Sequence, residues 1–205
     1  MRLRISHSTT YRYDPPASGL IQVLRLTPGN HDGQYIASWQ IDVSTDSHLS
    51  LRQDAFGNIT HHFTVDTSLS ELVVHVGGQI ETQDTGGILR GTIERFPPSL
   101  YLRVTPLTQA DDAMTDFAKT IAGRMQGRVL DTLHALMQDL HAHVTFDTDP
   151  THTGTSAHEA FALGRGVCQD YAHIFIGCAR AAGIPARYAA GHFMRADGIV
   201  HQDAG

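Results

Sequence analysis

The chain has 205 residues, 41% of them hydrophobic and 18% charged, with a formal net charge of −6. That is enough apolar material to bury a core and too much for intrinsic disorder. The acidic balance excludes a general phosphate-backbone binder, and no stretch approaches the ~18 consecutive apolar residues of a membrane span.

The amino terminus, Met1-Arg2-Leu3-Arg4-Ile5-Ser6, alternates from the start and has no apolar signal-peptide core, so a cytoplasmic protein is the expectation. Residues 3–13 read as a first strand, closed by Asp14-Pro15-Pro16. Further strands are expected at residues 21–26, 36–43, 49–53, 59–65 and 69–80. Phe56-Gly57-Asn58 marks a tight turn between two of them, and Gly77-Gly78 predicts a bulge or bend in the last. Short strands at short intervals point to an antiparallel sandwich or barrel over residues 1–84.

Residues 85–107, with Gly86-Gly87 and Phe96-Pro97-Pro98, read as a linker. Helical patterning follows over residues 108–205. Thr108 is the expected N-cap of a first helix, with Asp111 and Asp112 in its opening turn and Gly123 as its stop. Val129, Leu133, Leu136, Met137, Leu140 and Val144 follow the spacing of an amphipathic helix. Ser156-Ala157-His158-Glu159 is a capping box, and Gly164 stands where its short helix would end.

Chemistry concentrates in Gly164-Arg165-Gly166-Val167-Cys168-Gln169-Asp170-Tyr171-Ala172-His173. Tyr171, Ile174, Phe175, Cys178 and Ala182 lie on one stripe, Gly183-Ile184-Pro185 stops the helix, and residues 186–194 read as a strand. Cys168 therefore stands at the amino end of a helix, where unpaired N–H groups and the helix dipole favour a thiolate and can face an oxyanion. Gly166 would let a substrate backbone come close. The plainer reading of Cys168, a small buried residue, stays open at this point. Cys178, in mid-helix among apolar residues, reads as packing.

Other constellations are weaker. His61-His62 and His141-Ala142-His143 lack the spacing of a zinc motif and read as solvated or capping residues rather than metal ligands. Asp170 suits dipole complementation better than catalysis, and Arg165 and Arg187 suit structural pairing better than substrate binding. His192, beside Gly191, is a lesser possibility near the thiol. The Asp residues at 111, 112, 147 and 149 have no calcium-loop spacing.

Gly166-Val167-Cys168-Gln169-Asp170-Tyr171-Ala172-His173, then Gly183-Ile184-Pro185-Ala186-Arg187-Tyr188 and Gly191, resembles the bacterial transglutaminase-like family, relatives of the papain-fold thiol enzymes. Ser156-Ala157-His158-Glu159-Ala160-Phe161 resembles the helix before the family's cysteine. Tyr11-Arg12-Tyr13, Leu24-Arg25-Leu26-Thr27-Pro28 and Asp54-Ala55-Phe56-Gly57-Asn58 resemble landmarks of its β-rich amino-terminal domain. The resemblance implies an α+β fold in which a sandwich-like domain precedes a helical papain-like core. It also implies a Cys-His-Asp triad with Cys168 as nucleophile, acting on peptide or protein amides by hydrolysis or transamidation. No cofactor is needed for such chemistry, the sequence shows no calcium site, and its charge and hydropathy lead to the expectation of no nucleic-acid or membrane partner.

The family draws its histidine from a His-Ala-Trp-like strand and its aspartate from a further one. His201 and Asp203 do not lie in that motif, so Cys168 is the one triad member the sequence assigns. The expectation is that residues 1–205 alone, short of that strand and incomplete at the carboxy-terminal sheet, are inactive, and that a longer parent is an enzyme. The rival expectation is a non-catalytic binding or scaffold module that keeps the thiol-enzyme fold.

Overall fold

A computed structural model describes residues 1–192, which form two compact units, Met1–Phe96 and a second beginning at Pro97.

The first unit is built of six antiparallel strands: β1 (Arg2–Ala17), β2 (Leu20–Leu24), β3 (Gln34–Val43), β4 (Ser50–Gln53), β5 (Ile59–Val65) and β6 (Leu69–Thr82). They form two three-stranded sheets, in the orders β1-β6-β3 and β2-β5-β4. Alternation drives the packing: on β6, Leu72, Val74 and Val76 all turn to the buried side. Leu72 and Val74 meet Leu24, Phe63 and Val65 of the other sheet in one cluster, so the unit is a sandwich. Each such side chain contributes about 1.5–3 kcal/mol when removed from water.

Two expectations are corrected here. β1 does not stop at Asp14 but runs on through Pro15 and Pro16 to Ala17, with a register shift after Arg12. It lies at a sheet edge, where a residue without an N–H leaves no ladder bond unmade. Gly77 and Gly78 carry no bulge, since their pairing with Ser6 and Ile5 is continuous. The register shift lies on β3, between Ile36 and Ser38. Gly78 instead makes room for Trp39: a Cβ there would stand 2.4 Å from the indole Cε3.

The second unit opens with short 3-10 turns at Pro98–Leu102 and Pro106–Thr108. Helices α1 (Asp112–Arg124), α2 (Val129–His143), α3 (Ala157–Leu163) and α4 (Cys168–Ala181) follow. Asp111, not Thr108, caps α1, accepting from the Met114 N–H at 2.9 Å. Thr108 is engaged elsewhere, by the Thr105 hydroxyl at 2.6 Å and the Arg180 guanidinium at 2.8 Å. The buried stripe of α2 runs through Thr132, Leu136 and Leu140, leaving Val129 and Met137 exposed.

The core of this unit joins Met114, Ala118 and Ile121 of α1, Leu136 and Leu140 of α2, Ala157, Ala160 and Phe161 of α3, and Ile174, Cys178 and Ala179 of α4. Gly177 allows α4 to approach the Thr108 backbone closely, because a Cβ there would lie 2.8 Å from the Thr108 carbonyl oxygen. Two short parallel strands, β7 (Thr145–Phe146) and β8 (Arg165–Gly166), pair just ahead of α4. The strand expected over residues 186–194 is not formed in its described part, 186–192. There the backbone bonds elsewhere: Ala186 N–H donates to Tyr101, and the Ala186 carbonyl accepts from the Arg180 guanidinium. Among the described residues no helix is long and apolar enough to cross a membrane.

Candidate active site

The thiol turn is assembled from local signals. The Ser156 N–H and hydroxyl both donate to the Glu159 carboxylate, at 2.8 and 2.5 Å, and so start α3. The Ser156 hydroxyl is the main reason that carboxyl lies below its ordinary range. Gly164, at φ 66°, closes α3 in the left-handed conformation that a side chain resists. The chain then passes through β8, held to β7 by Thr145 N–H to the Gly164 carbonyl and Asp147 N–H to the Gly166 carbonyl. Arg165 pairs with Asp147, whose carboxyl is lowered first by the Asp149 N–H and further by that guanidinium.

Helix α4 begins at Cys168 behind an extended Val167, whose side chain has no atom to cap with. Asp170 fills the gap from inside the first turn. Its Oδ2 accepts from the Val167 N–H at 2.8 Å and from the Thr151 hydroxyl at 2.7 Å, and the residue is only 1% exposed. Gly166 is corrected by the same geometry: the space beside it is filled by Asp170, whose Oδ2 would lie 2.6 Å from any Cβ there. The glycine serves the turn rather than an incoming substrate. Asp170 does more than complement the dipole, as it ties the turn to a loop nineteen residues upstream.

Cys168 itself is exposed. The helical bonds of α4 start at Asp170 and Tyr171, whose N–H groups donate to the Val167 carbonyl, so the N–H groups of Cys168 and Gln169 precede the ladder. An exposed Sγ beside such donors can attack a carbonyl and leave the resulting oxyanion facing them. Cys178 is wholly buried, its Sγ 3.8 Å from the Met114 carbonyl oxygen; burial, with Asp111 adding to it, pushes the thiol up to about 12. It is a packing residue.

The remaining residues separate clearly. Arg187 lies over the Tyr101 ring at 5.7 Å. His143 donates to the Phe161 carbonyl and stacks on that ring, and His62 bonds Thr60. Among the described residues no group of three His, Cys, Asp or Glu could hold a metal ion. His192 closes the described segment, while His201 and Asp203 lie outside it. Thr151, a polar loop residue, carries no local signal in the sequence. His173, which closes the Gly166–His173 motif, is buried five residues past the thiol, with Nδ1 unpartnered and its ring centroid 5.6 Å from that of Tyr188.

A β-sandwich unit followed by a helical unit with an exposed cysteine opening a core helix is the architecture of the transglutaminase-like branch of the papain fold. Residues 3–81 match the bacterial transglutaminase-like N-terminal region, and residues 115–204 match the transglutaminase-like superfamily. Each of its two units thus resembles its counterpart in bacterial transglutaminase-like proteins. An uncharacterized protein of Mycobacterium leprae is 28% identical over 97% of the chain and 74% of its own length. One of Mycobacterium tuberculosis is 26% identical over 93% of the chain and 65% of its own length. The crystal structure of a candidate cysteine protease from Cytophaga hutchinsonii shares the fold, with a TM-score of 0.72 and 19% identity over 90% of this chain and 65% of that one. The chain thus spans about two thirds to three quarters of the length of these relatives.

Proposed function

We propose that this protein is a thiol acyl-transfer enzyme that acts on peptide or protein amides through Cys168. The carrying observation is the contrast of its two thiols: Cys168 is exposed at the start of α4, on a turn stapled by a buried carboxylate, while Cys178 is sealed in the core. The thiolate attacks the amide carbonyl carbon, so that an S–C bond forms and the charge on oxygen faces the first N–H groups of α4. The C–N bond then breaks and the amine leaves with a proton, giving a thioester. Water or a second amine takes the acyl group and restores the thiol. The name of the Cytophaga hutchinsonii structure agrees with this reaction class. The family resemblance assigns the proton acceptor to a histidine beyond the Gly183–Arg187 block.

The test is amide turnover by the full-length protein on a mixed peptide pool, with release of amine or ammonia measured. Cys168→Ala is expected to lower turnover by about a thousand-fold or more. Unchanged turnover in Cys168→Ala would place the chemistry elsewhere, and a wild-type protein that binds peptides without turnover would favour the scaffold reading.

A further inference from the structure

The loop 147–156 leaves β7 and runs along the thiol turn before α3 begins. It is bonded to that turn on both sides of Cys168. Ahead of the thiol, Asp147 N–H donates to the Gly166 carbonyl at 3.0 Å. Behind it, the Gln169 amide donates to the Thr153 carbonyl at 3.2 Å, and the Thr151 hydroxyl donates to Asp170 Oδ2 at 2.7 Å. That same oxygen receives the Val167 N–H. A single buried carboxylate oxygen therefore links the loop to the residue just before the thiol. Charge-assisted bonds screened from water are the strong ones, and they fix direction as well as distance. The loop is also braced within itself, by His152 N–H on the Thr155 hydroxyl at 3.0 Å and Thr155 N–H on the His152 carbonyl at 2.9 Å.

We propose that Thr151 is a positioning residue for Cys168: through Asp170 it sets the Val167 peptide, and with it the direction in which the first N–H groups of α4 face the thiol. Thr151 need not touch substrate. Its hydroxyl holds a carboxylate that holds a turn. The proposal rests on the acyl-transfer reading, because direction matters only if an oxyanion must be met, and small misplacements are then costly.

Two reactions of the full-length protein separate direction from simple access. In acylation by p-nitrophenyl acetate, Sγ bonds the acetyl carbon, the ester C–O bond breaks and p-nitrophenolate leaves, so the oxyanion must be accommodated. Alkylation by iodoacetamide, which displaces iodide at a saturated carbon, makes no such demand. Thr151→Val, which keeps shape and removes the hydroxyl, is expected to slow acylation of Cys168 about ten-fold. Alkylation should change less than two-fold and the thermal midpoint should stay near wild type. Thr151→Ser should restore acylation, and Thr151→Ala serves as a second hydroxyl deletion. Wild-type acylation rates in Thr151→Val and Thr151→Ala would overturn the proposal. So would a parallel fall of both reactions and the midpoint that Thr151→Ser does not rescue. If wild type alkylates at Cys168 yet never acylates, the acyl-transfer reading fails first and takes this proposal with it.

Discussion

Cys168 and Cys178 stand on the same helix, ten residues or roughly 15 Å of axis apart, and their surroundings are opposite. The first opens α4 in solvent; the second is fully buried, 3.8 Å from the Met114 carbonyl oxygen. At neutral pH iodoacetamide is therefore expected to label Cys168 alone in the folded protein, with Cys178 labelled only in denaturant, as peptide mass mapping would show. The buried thiol also makes a pH prediction. It keeps its proton up to about 12, whereas the unfolded chain releases it near the ordinary thiol value. The unfolded state is thus favoured as pH rises across that window. Urea midpoints should fall between pH 9 and 11 more steeply in wild type than in Cys178→Ala. Native labelling of Cys178 at a rate like that of Cys168 would contradict the assignment.

How much of this was legible depended on the range of the interaction that decides each element. β5 was readable with its bounds, because Ile59–Val65 stands between a turn and Asp66. The Ser156–Glu159 box and the Gly164 stop were readable because their partners lie within a few residues. The continuation of β1 through two prolines was not, since it depends on β1 lying at an edge. The absence of a strand over 186–192 was hidden too, because the Ala186 N–H is taken by the carbonyl of Tyr101, far upstream in the chain. In the site, Cys168 announced itself through local pattern. The Thr151–Asp170 bond spans nineteen residues and left no mark in either segment.

Gly78 illustrates the same point as a stability prediction. A Cβ added there would lie 2.4 Å from Trp39 Cε3 and 2.5 Å from the Ser38 carbonyl oxygen, and the second of these is backbone. Neither neighbour yields without moving β3. Gly78→Ala is expected to destabilise the sandwich by about 1–3 kcal/mol, the usual cost of overpacking. Trp39 is the single tryptophan, so its emission reports the change directly in a urea titration. Gly77→Ala, whose Cβ would meet nothing closer than 3.5 Å, is the control and should cost less. Equal midpoints for the two variants would refute the role given to Gly78.

His173 supplies a prediction of opposite sign to that of Cys178. The residue is 7% exposed, with Nδ1 unpartnered, and burial holds its pKa below the ordinary imidazole value. The Asp170 carboxylate pulls it back up, but less strongly. The folded protein therefore keeps His173 neutral where the unfolded chain binds a proton. The stability this contributes is complete above about pH 6.5 and is lost as pH falls below that value, until the folded form also protonates. One proton sets a ceiling of about 1.4 kcal/mol per pH unit on the slope. The comparison to make is wild type against His173→Phe, with urea midpoints from pH 7.5 to 5, which isolates what the imidazole contributes. Wild type is expected to lose more stability than the variant over that range, with the difference opening near pH 6.5. A difference that stays flat from pH 7.5 to 5 would mean that His173 exchanges its proton equally well folded and unfolded, and that its burial has no electrostatic consequence.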